Sequence, residues 1–160
     1  MGTRSLTHVI ETWKNTETNK KQKQCLMTMY RQYDGYPSGM GTDLAEFLKN
    51  GKVVNGISMA ETELVFNRFN GAGCLAAQVV AHFKQGVGNI YLHKPMSKDC
   101  GEDYTYEIIV DFDTKELTLK CYTIGYTTKS GNYTKKKKLL FEGKPQDYAK
   151  WLKKYETEKP

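Results

Sequence analysis

No apolar run in this chain approaches the roughly 20 residues that a membrane-spanning helix needs. The opening MGTRSLTHVIETWKN has no apolar core of the signal-peptide kind. The myristoylation pattern is missing too, because position 6 is Leu rather than Ser or Thr. These gaps lead to the expectation of an intracellular protein that makes no use of a membrane. Cysteine is sparse: Cys25, Cys74, Cys100 and Cys121 stand far apart with no C-x-x-C pair, which removes the usual zinc spacing. In a reducing compartment they read as free thiols, with Cys74 and Cys121 on apolar faces as core fillers. Histidine is limited to His8, His82 and His93, none at metal-ligand spacing. His82 reads as a surface or boundary residue. No pair of carboxylates has a spacing that demands catalysis. Asp43 and Glu46 fit a helix start, and 99–103 reads as an acidic loop. The chain therefore reads as a binder rather than an enzyme, with no catalytic residue, metal or cofactor assigned.

What is present suits one domain. At 160 residues, with 39% hydrophobic and 26% charged residues, the chain can bury a core without staples. Its net charge of +6 comes largely from local runs: Lys20, Lys21 and Lys23; Lys135, Lys136, Lys137 and Lys138; and Lys150, Lys153 and Lys154. Such a balance suits a polyanionic partner, although a lysine run is also what a solvated surface looks like.

Alternation marks strands at 3–11 and 25–32. Between them, 13–24 is polar and without periodicity, and reads as a flexible basic loop. Asp43-x-x-Glu46 resembles a capping box for a short helix ended by Asn50-Gly51. Ser58-x-x-Glu61 opens a second helix. Leu75, Val79 and Phe83 recur every fourth residue on a third, ended by Gly86 and Gly88. A short strand at 89–93 follows. Tyr104 to Phe112 and Glu116 to Ile124 form the clearest hairpin. The stretch 125–138 reads as a second flexible basic loop, 139–142 as a last short strand, and Pro145 as the start of a closing helix. Strands first, helices in the middle and a hairpin after them point to an α+β single domain. Its sheet is mainly antiparallel, of about five to six strands, with about three to four helices.

The densest stretch is Met27 to Leu48, MTMYRQYDGYPSGMGTDLAEFL. Polar side chains there crowd against Gly35, Pro37, Gly39 and Gly41, and polar groups on a rigid turn are how binding sites are commonly presented. If the first two strands pair, Arg4 approaches Arg31 and Asp34, so two planar forks and a carboxylate converge. The alternative is a structural Arg–Asp pair that fixes the turn. Gln32 lies alongside, and Tyr33 and Tyr36 are placed to stack on a ring. Asn70-Gly71-Ala72-Gly73-Cys74 opens a helix whose free N–H groups at Gly71 and Gly73 attract anions. The Lys-Ser/Thr pair of a P-loop is missing, and the motif taken alone also fits close helix packing. Cys74 at that helix start has the position of a nucleophile, but without a neighbouring histidine it reads as structural.

The opening Gly2-Thr3-Arg4-Ser5-Leu6, the block from Tyr30 to Gly39 (YRQYDGYPSG) and the helix start from Asn70 to Gln78 (NGAGCLAAQ) together resemble a family of small proteins of bacteriophages and large DNA viruses. The resemblance covers roughly the first 95 residues and brings no catalytic residues with it. Relatives often carry His where Met40 stands here, so any role of that imidazole is absent or moved. It implies a viral accessory protein acting in host cytoplasm, in nucleic-acid handling, virion structure or counter-defence.

The expected function is binding of a phosphate-bearing small ligand, a nucleotide above all, without turnover, as in sequestering a host defence signal. Arg4, Arg31, Gln32, Tyr33, Asp34, Tyr36, Gly71 and Gly73 would form the site. One alternative is a nucleic-acid-binding or modifying protein using Lys20, Lys21, Lys23 and Lys135 to Lys138. Another is a virion or host-interaction protein with no small ligand. The first needs Arg4, Arg31 and Tyr36 in one pocket. The second needs a basic surface that joins the two lysine runs.

Overall fold

The computed structural model describes residues 2–57 and 67–158. Strands β1 (Ser5–Lys14) and β2 (Lys21–Arg31) form a long antiparallel hairpin. A single π-helical turn at Pro37–Gly41 leads into helix α1 (Thr42–Leu48). Two short strands, β3 (Lys52–Val54) and β4 (Arg68–Asn70), precede helix α2 (Gly71–Phe83). Then come β5 (Ile90–His93), β6 (Tyr104–Asp111), β7 (Leu117–Thr127) and β8 (Tyr133–Gly143). A 3-10 turn at Pro145–Asp147 opens helix α3 (Tyr148–Glu158). The main sheet has six strands in the order β5-β2-β1-β6-β7-β8, and β3 pairs with β4 separately. In the main sheet only β1 and β6 run parallel; every other neighbouring pair is antiparallel. This is the expected α+β architecture. The helix expected to open at Ser58 lies outside the described residues.

The core lies between one face of the sheet and the helices. Directly paired residues share a face, so the register lines up Val9 with Met27 and Ile108, and Tyr106 with Cys121. Against this floor pack Leu44, Ala45 and Leu48 of α1, Ala72, Leu75, Ala76 and Val79 of α2, and Tyr148 of α3. Each fully buried leucine of this kind contributes about 1.5–3 kcal/mol. Cys121 is buried in this core as expected, and burial pushes its thiol up to about 12. Cys74 is only half-buried; its thiol donates to Gln78 Oε1 at 3.1 Å.

The opposite sheet face carries a polar row. His8, Thr28, Thr105 and Glu107 are all buried there, and β1 and β6 set His8 beside Glu107. The 94–103 segment is tied to this row, with Met96 N–H donating to Thr28 Oγ1 at 2.8 Å.

Of the two stretches expected as flexible basic loops, 125–138 is mostly strand and 13–24 is half strand. β1 and β2 stay paired out to Lys14 and Lys21, so only 15–20 lies outside them. Asn15 closes that turn by accepting the N–H groups of Glu17 and Thr18. β7 and β8 stay paired out to Thr127 and Tyr133, and the last short strand expected at 139–142 is the end of β8. Lys21 to Gln24 are exposed on both faces, so no apolar alternation marks them as strand.

Both sheet edges are blunted. β8 carries Lys135 to Lys138, and charge on an edge strand discourages strand addition. On β5, Lys84 Nζ donates to Ile90 O at 2.9 Å and to Gly88 O at 3.0 Å, capping a carbonyl that would otherwise accept from a neighbour.

Candidate functional site

The turn after β2 is clamped from below. Tyr106 OH donates to Gly35 O at 2.8 Å and Tyr148 OH to Pro37 O at 2.7 Å. Burial raises both phenols above their ordinary value, so at neutral pH they remain donors. Gly35 N–H donates to Thr3 O, and Met40 N–H to Asp34 O. A Cβ on Gly35 would lie 2.8 Å from Arg4 C and from Ser5 Cβ, and one on Gly41 would run into the Tyr148 hydroxyl. Close packing is sufficient reason for glycine at both positions.

The Arg31 side chain leaves this turn toward the helices and is 13% exposed. Its Nε donates to Tyr33 O at 2.7 Å. Its Nη1 reaches Met40 Sδ at 3.0 Å and Asp43 Oδ2 at 2.9 Å. Nη2 has no acceptor among the described residues. Asp43 is thus the carboxylate partner of Arg31, and no side chain caps α1, whose N-cap is Gly41. Asp43 does stand in the first turn of α1 as expected, but it, and not Asp34, is the partner of Arg31.

Arg4 does not join this site. Ser5 stands opposite Arg31, so Arg4 is one residue out of step and belongs to the other sheet face. A Cβ on Gly101 would lie 3.1 Å from Arg4 Nη1, and Arg4 N–H donates to Asp103 Oδ2 at 2.9 Å. Asp34, held at a φ of 58°, accepts from Tyr36 OH at 3.3 Å. That carboxylate raises the Tyr36 phenol above its ordinary value. Gln32 Oε1 accepts from Tyr30 OH at 2.6 Å. Tyr33 is exposed, and its N–H donates to Asn89 Oδ1 at 3.2 Å. Gly71 and Gly73 begin α2, whereas the groove beside Arg31 is lined by its last residues. Twelve residues of helix rise separate the two ends, about 18 Å. A Cβ on either glycine would meet nothing within 4 Å, so close helix packing does not explain them. Gly71 serves a φ of 81°.

What the structure does assemble is a groove of about 420 Å³ bounded by Arg31, Asp43, Glu46, Phe47, His82, Phe83, Gln85, Asn89 and Ile90. Its aromatic wall is tightly built: Phe47 and His82 stack at 4.5 Å, and His82 meets Phe83 edge-on at 4.8 Å. The polar wall offers the guanidinium, the Asn89 amide and two carboxylates. Phe47, His82, Phe83 and Asn89 were not singled out as site residues by the sequence. Phe83 was legible only as one of the apolar positions on its helix. Asn89 is fixed at a φ of 59° after two positive-φ glycines, a turn signal that gave no hint of the groove. The size suits a small molecule, and the walls suit a flat ring with a hydrogen-bonding edge. Among the described residues no cluster of His, Cys, Asp or Glu could hold a metal ion. In comparisons with protein-family models, curated proteins and solved structures, nothing matches the chain.

Proposed function

We propose that the protein binds, without turnover, a small planar ligand with a hydrogen-bonding edge, and that a nucleotide is the class that suits the groove. The observation that carries this reading is the state of Arg31. Its Nε and Nη1 are pinned by Tyr33 O, Met40 Sδ and Asp43, which leaves Nη2 for an outside acceptor. A donor fixed before binding costs little to order. One guanidinium beside two carboxylates is a poor phosphate cradle. The ring system therefore occupies the groove against Phe47 and His82, with Arg31 and Asn89 at its edge and the phosphates toward solvent. Gln32, Tyr33, Asp34 and Tyr36 then act around the turn. Arg4, Gly71 and Gly73 lie off the groove. The resemblance to small phage and large-DNA-virus proteins supplies a setting, in which such a binder sequesters a host signalling nucleotide.

Arg31→Lys keeps the charge and loses the fork. Titrating a panel of linear and cyclic nucleotides by calorimetry should find a ligand whose affinity falls about 10–100-fold in this variant, the 1–3 kcal/mol of a charge-assisted contact. The melting temperature should move little. Unchanged affinity with a markedly lowered melting temperature would make Arg31–Asp43 a structural pair and remove the site.

A further inference from the structure

Five of the six net positive charges of this chain sit on one projecting ribbon. From Cys121 to Phe141 there are five lysines, Lys129 and Lys135 to Lys138, and no carboxylate. β6 pairs with β7 only as far as Thr123, and Ile124 N–H donates to Asp103 O. Past that point, among the described residues, β7 and β8 pair only with each other. The two strands run on to Thr127 and Tyr133, a projection of about 13 Å at the usual rise per residue. A register irregularity lies between Ile124 and Tyr126, and Gly125 has a φ of 88°. Such irregularities bend and twist a ribbon.

We propose that this β7–β8 ribbon is a docking arm for double-stranded DNA, gripped through its phosphates. Edge protection alone does not account for the ribbon, because carboxylates mixed with lysines blunt an edge equally well. Nearer the body of the sheet such mixing is present, with Lys120 facing Glu142 at 3.7 Å. A two-stranded ribbon has the cross-section that the major groove of B-form DNA admits. The groove of an A-form RNA helix is too narrow for it. Single strands are a poorer fit, because they bind through rows of free rings. Here Lys137 lies 3.9 Å from the Tyr122 ring centre and Lys138 lies 5.2 Å from that of Tyr126, which leaves Tyr133, exposed but with its phenol end against Gly125. A membrane surface is a poorer fit still, since the tip TTKSGN offers no apolar side chain to insert.

Lys137 is already committed, its Nζ 3.2 Å from Glu107 Oε2. Lys129, Lys135, Lys136 and Lys138 have no acceptor among the described residues. The other run, Lys20 to Lys23, lies at the far corner of the sheet. The register puts Lys21 level with Lys14, and Lys138 level with Thr123, Tyr104 and Ser5. Nine residues of strand make that about 30 Å, so the two runs do not form one basic surface.

The test is fluorescence anisotropy with a 20-base-pair DNA duplex, the matching single strand and vesicles containing phosphatidylserine. Four free lysines predict a slope of log affinity against log salt of about −3.6, or roughly 100-fold weaker duplex binding at 200 mM than at 50 mM salt. The variant Lys129→Gln/Lys135→Gln/Lys136→Gln/Lys138→Gln should lose that slope and bind the duplex at least 30-fold more weakly at 50 mM salt. Its melting temperature should stay unchanged. Duplex binding that survives in the variant would overturn the proposal. So would a preference of the unmodified protein for the single strand or the vesicles.

Discussion

Replacing Gly41 by alanine is expected to destabilise the protein by roughly 3–5 kcal/mol. The new Cβ would meet the Tyr148 hydroxyl, and would lie 2.7 Å from Tyr148 Cζ and 3.1 Å from Tyr106 Cε1. Tyr148 and Met40 are fully buried and Pro37 is buried beside them, so no flexible side-chain end can simply swing clear. Overpacking of this kind costs about 1–3 kcal/mol. Displacing the Tyr148 hydroxyl also strips Pro37 O of its donor, and an unsatisfied buried carbonyl costs about another 1–3 kcal/mol. Backbone strain adds nothing, because Gly41 has a helical φ of −60°. Urea denaturation of the two proteins would show the midpoint fall without a change in slope. Adding Tyr148→Phe removes the obstructing oxygen and should return part of the loss. A loss below about 1 kcal/mol in the single variant would mean that the turn yields easily and does not hold Arg31 in place.

That turn also shows where the sequence was readable. A strand passing into a crowded glycine turn and then a helix is what stands at 27–48, because local alternation and spacing report local structure. The β6–β7 hairpin was equally open to reading, since Tyr106, Ile108 and Val110 alternate and all three face the core. The face of α2 was legible for the same reason: Leu75 and Val79 recur at helical spacing and are fully buried. Strand ends bathed on both sides carry no such pattern. Lys21 to Gln24 and the lysines of β8 therefore passed for loops.

The geometry around Arg31 was hidden from the sequence for a different reason. Whether Arg4 meets Arg31 depends on a one-residue choice of register, and that choice sets the face of every side chain. Asp43 had a sufficient local explanation as a helix-start residue, so nothing in the sequence demanded a partner twelve residues back. The groove itself joins the end of β2, α1, the end of α2 and Asn89. Only the folded chain brings those four together. Much the same holds for His8 and Glu107, which become neighbours through the one parallel pairing of the main sheet, 99 residues apart in sequence.

The stability of the protein is expected to fall by about 3 kcal/mol as pH drops from 6.5 to 4, because of His8. This imidazole is 3% exposed, and its Nδ1 lies 2.7 Å from Thr28 Oγ1. Burial is the main influence and holds it well below the ordinary 6.5, at about 4; Glu107 acts upward and the Lys137 ammonium downward. In the unfolded chain the same group takes up its proton near pH 6.5. Between the two values the unfolded state binds more protons than the folded one, so stability rises with pH across that window and is lost on acidification. At 1.36 kcal/mol per tenfold change in proton affinity, the loss is complete near pH 4. A separate decline belongs at lower pH. Asp111 is held down at about 2: burial acts upward on it, but is outweighed by the Lys21 ammonium and the N–H groups of Thr114 and Asp113. That contribution disappears as pH falls from near 3.8 toward 2. Urea titrations at half-unit steps from pH 7.5 to 2 would trace the His8 window and the Asp111 decline below it. His8→Gln, which cannot titrate, should remove most of the slope there and leave the decline below pH 4 in place. An equal slope in the variant would mean that His8 protonates without resistance, and that the polar row on this face of the sheet is open to water.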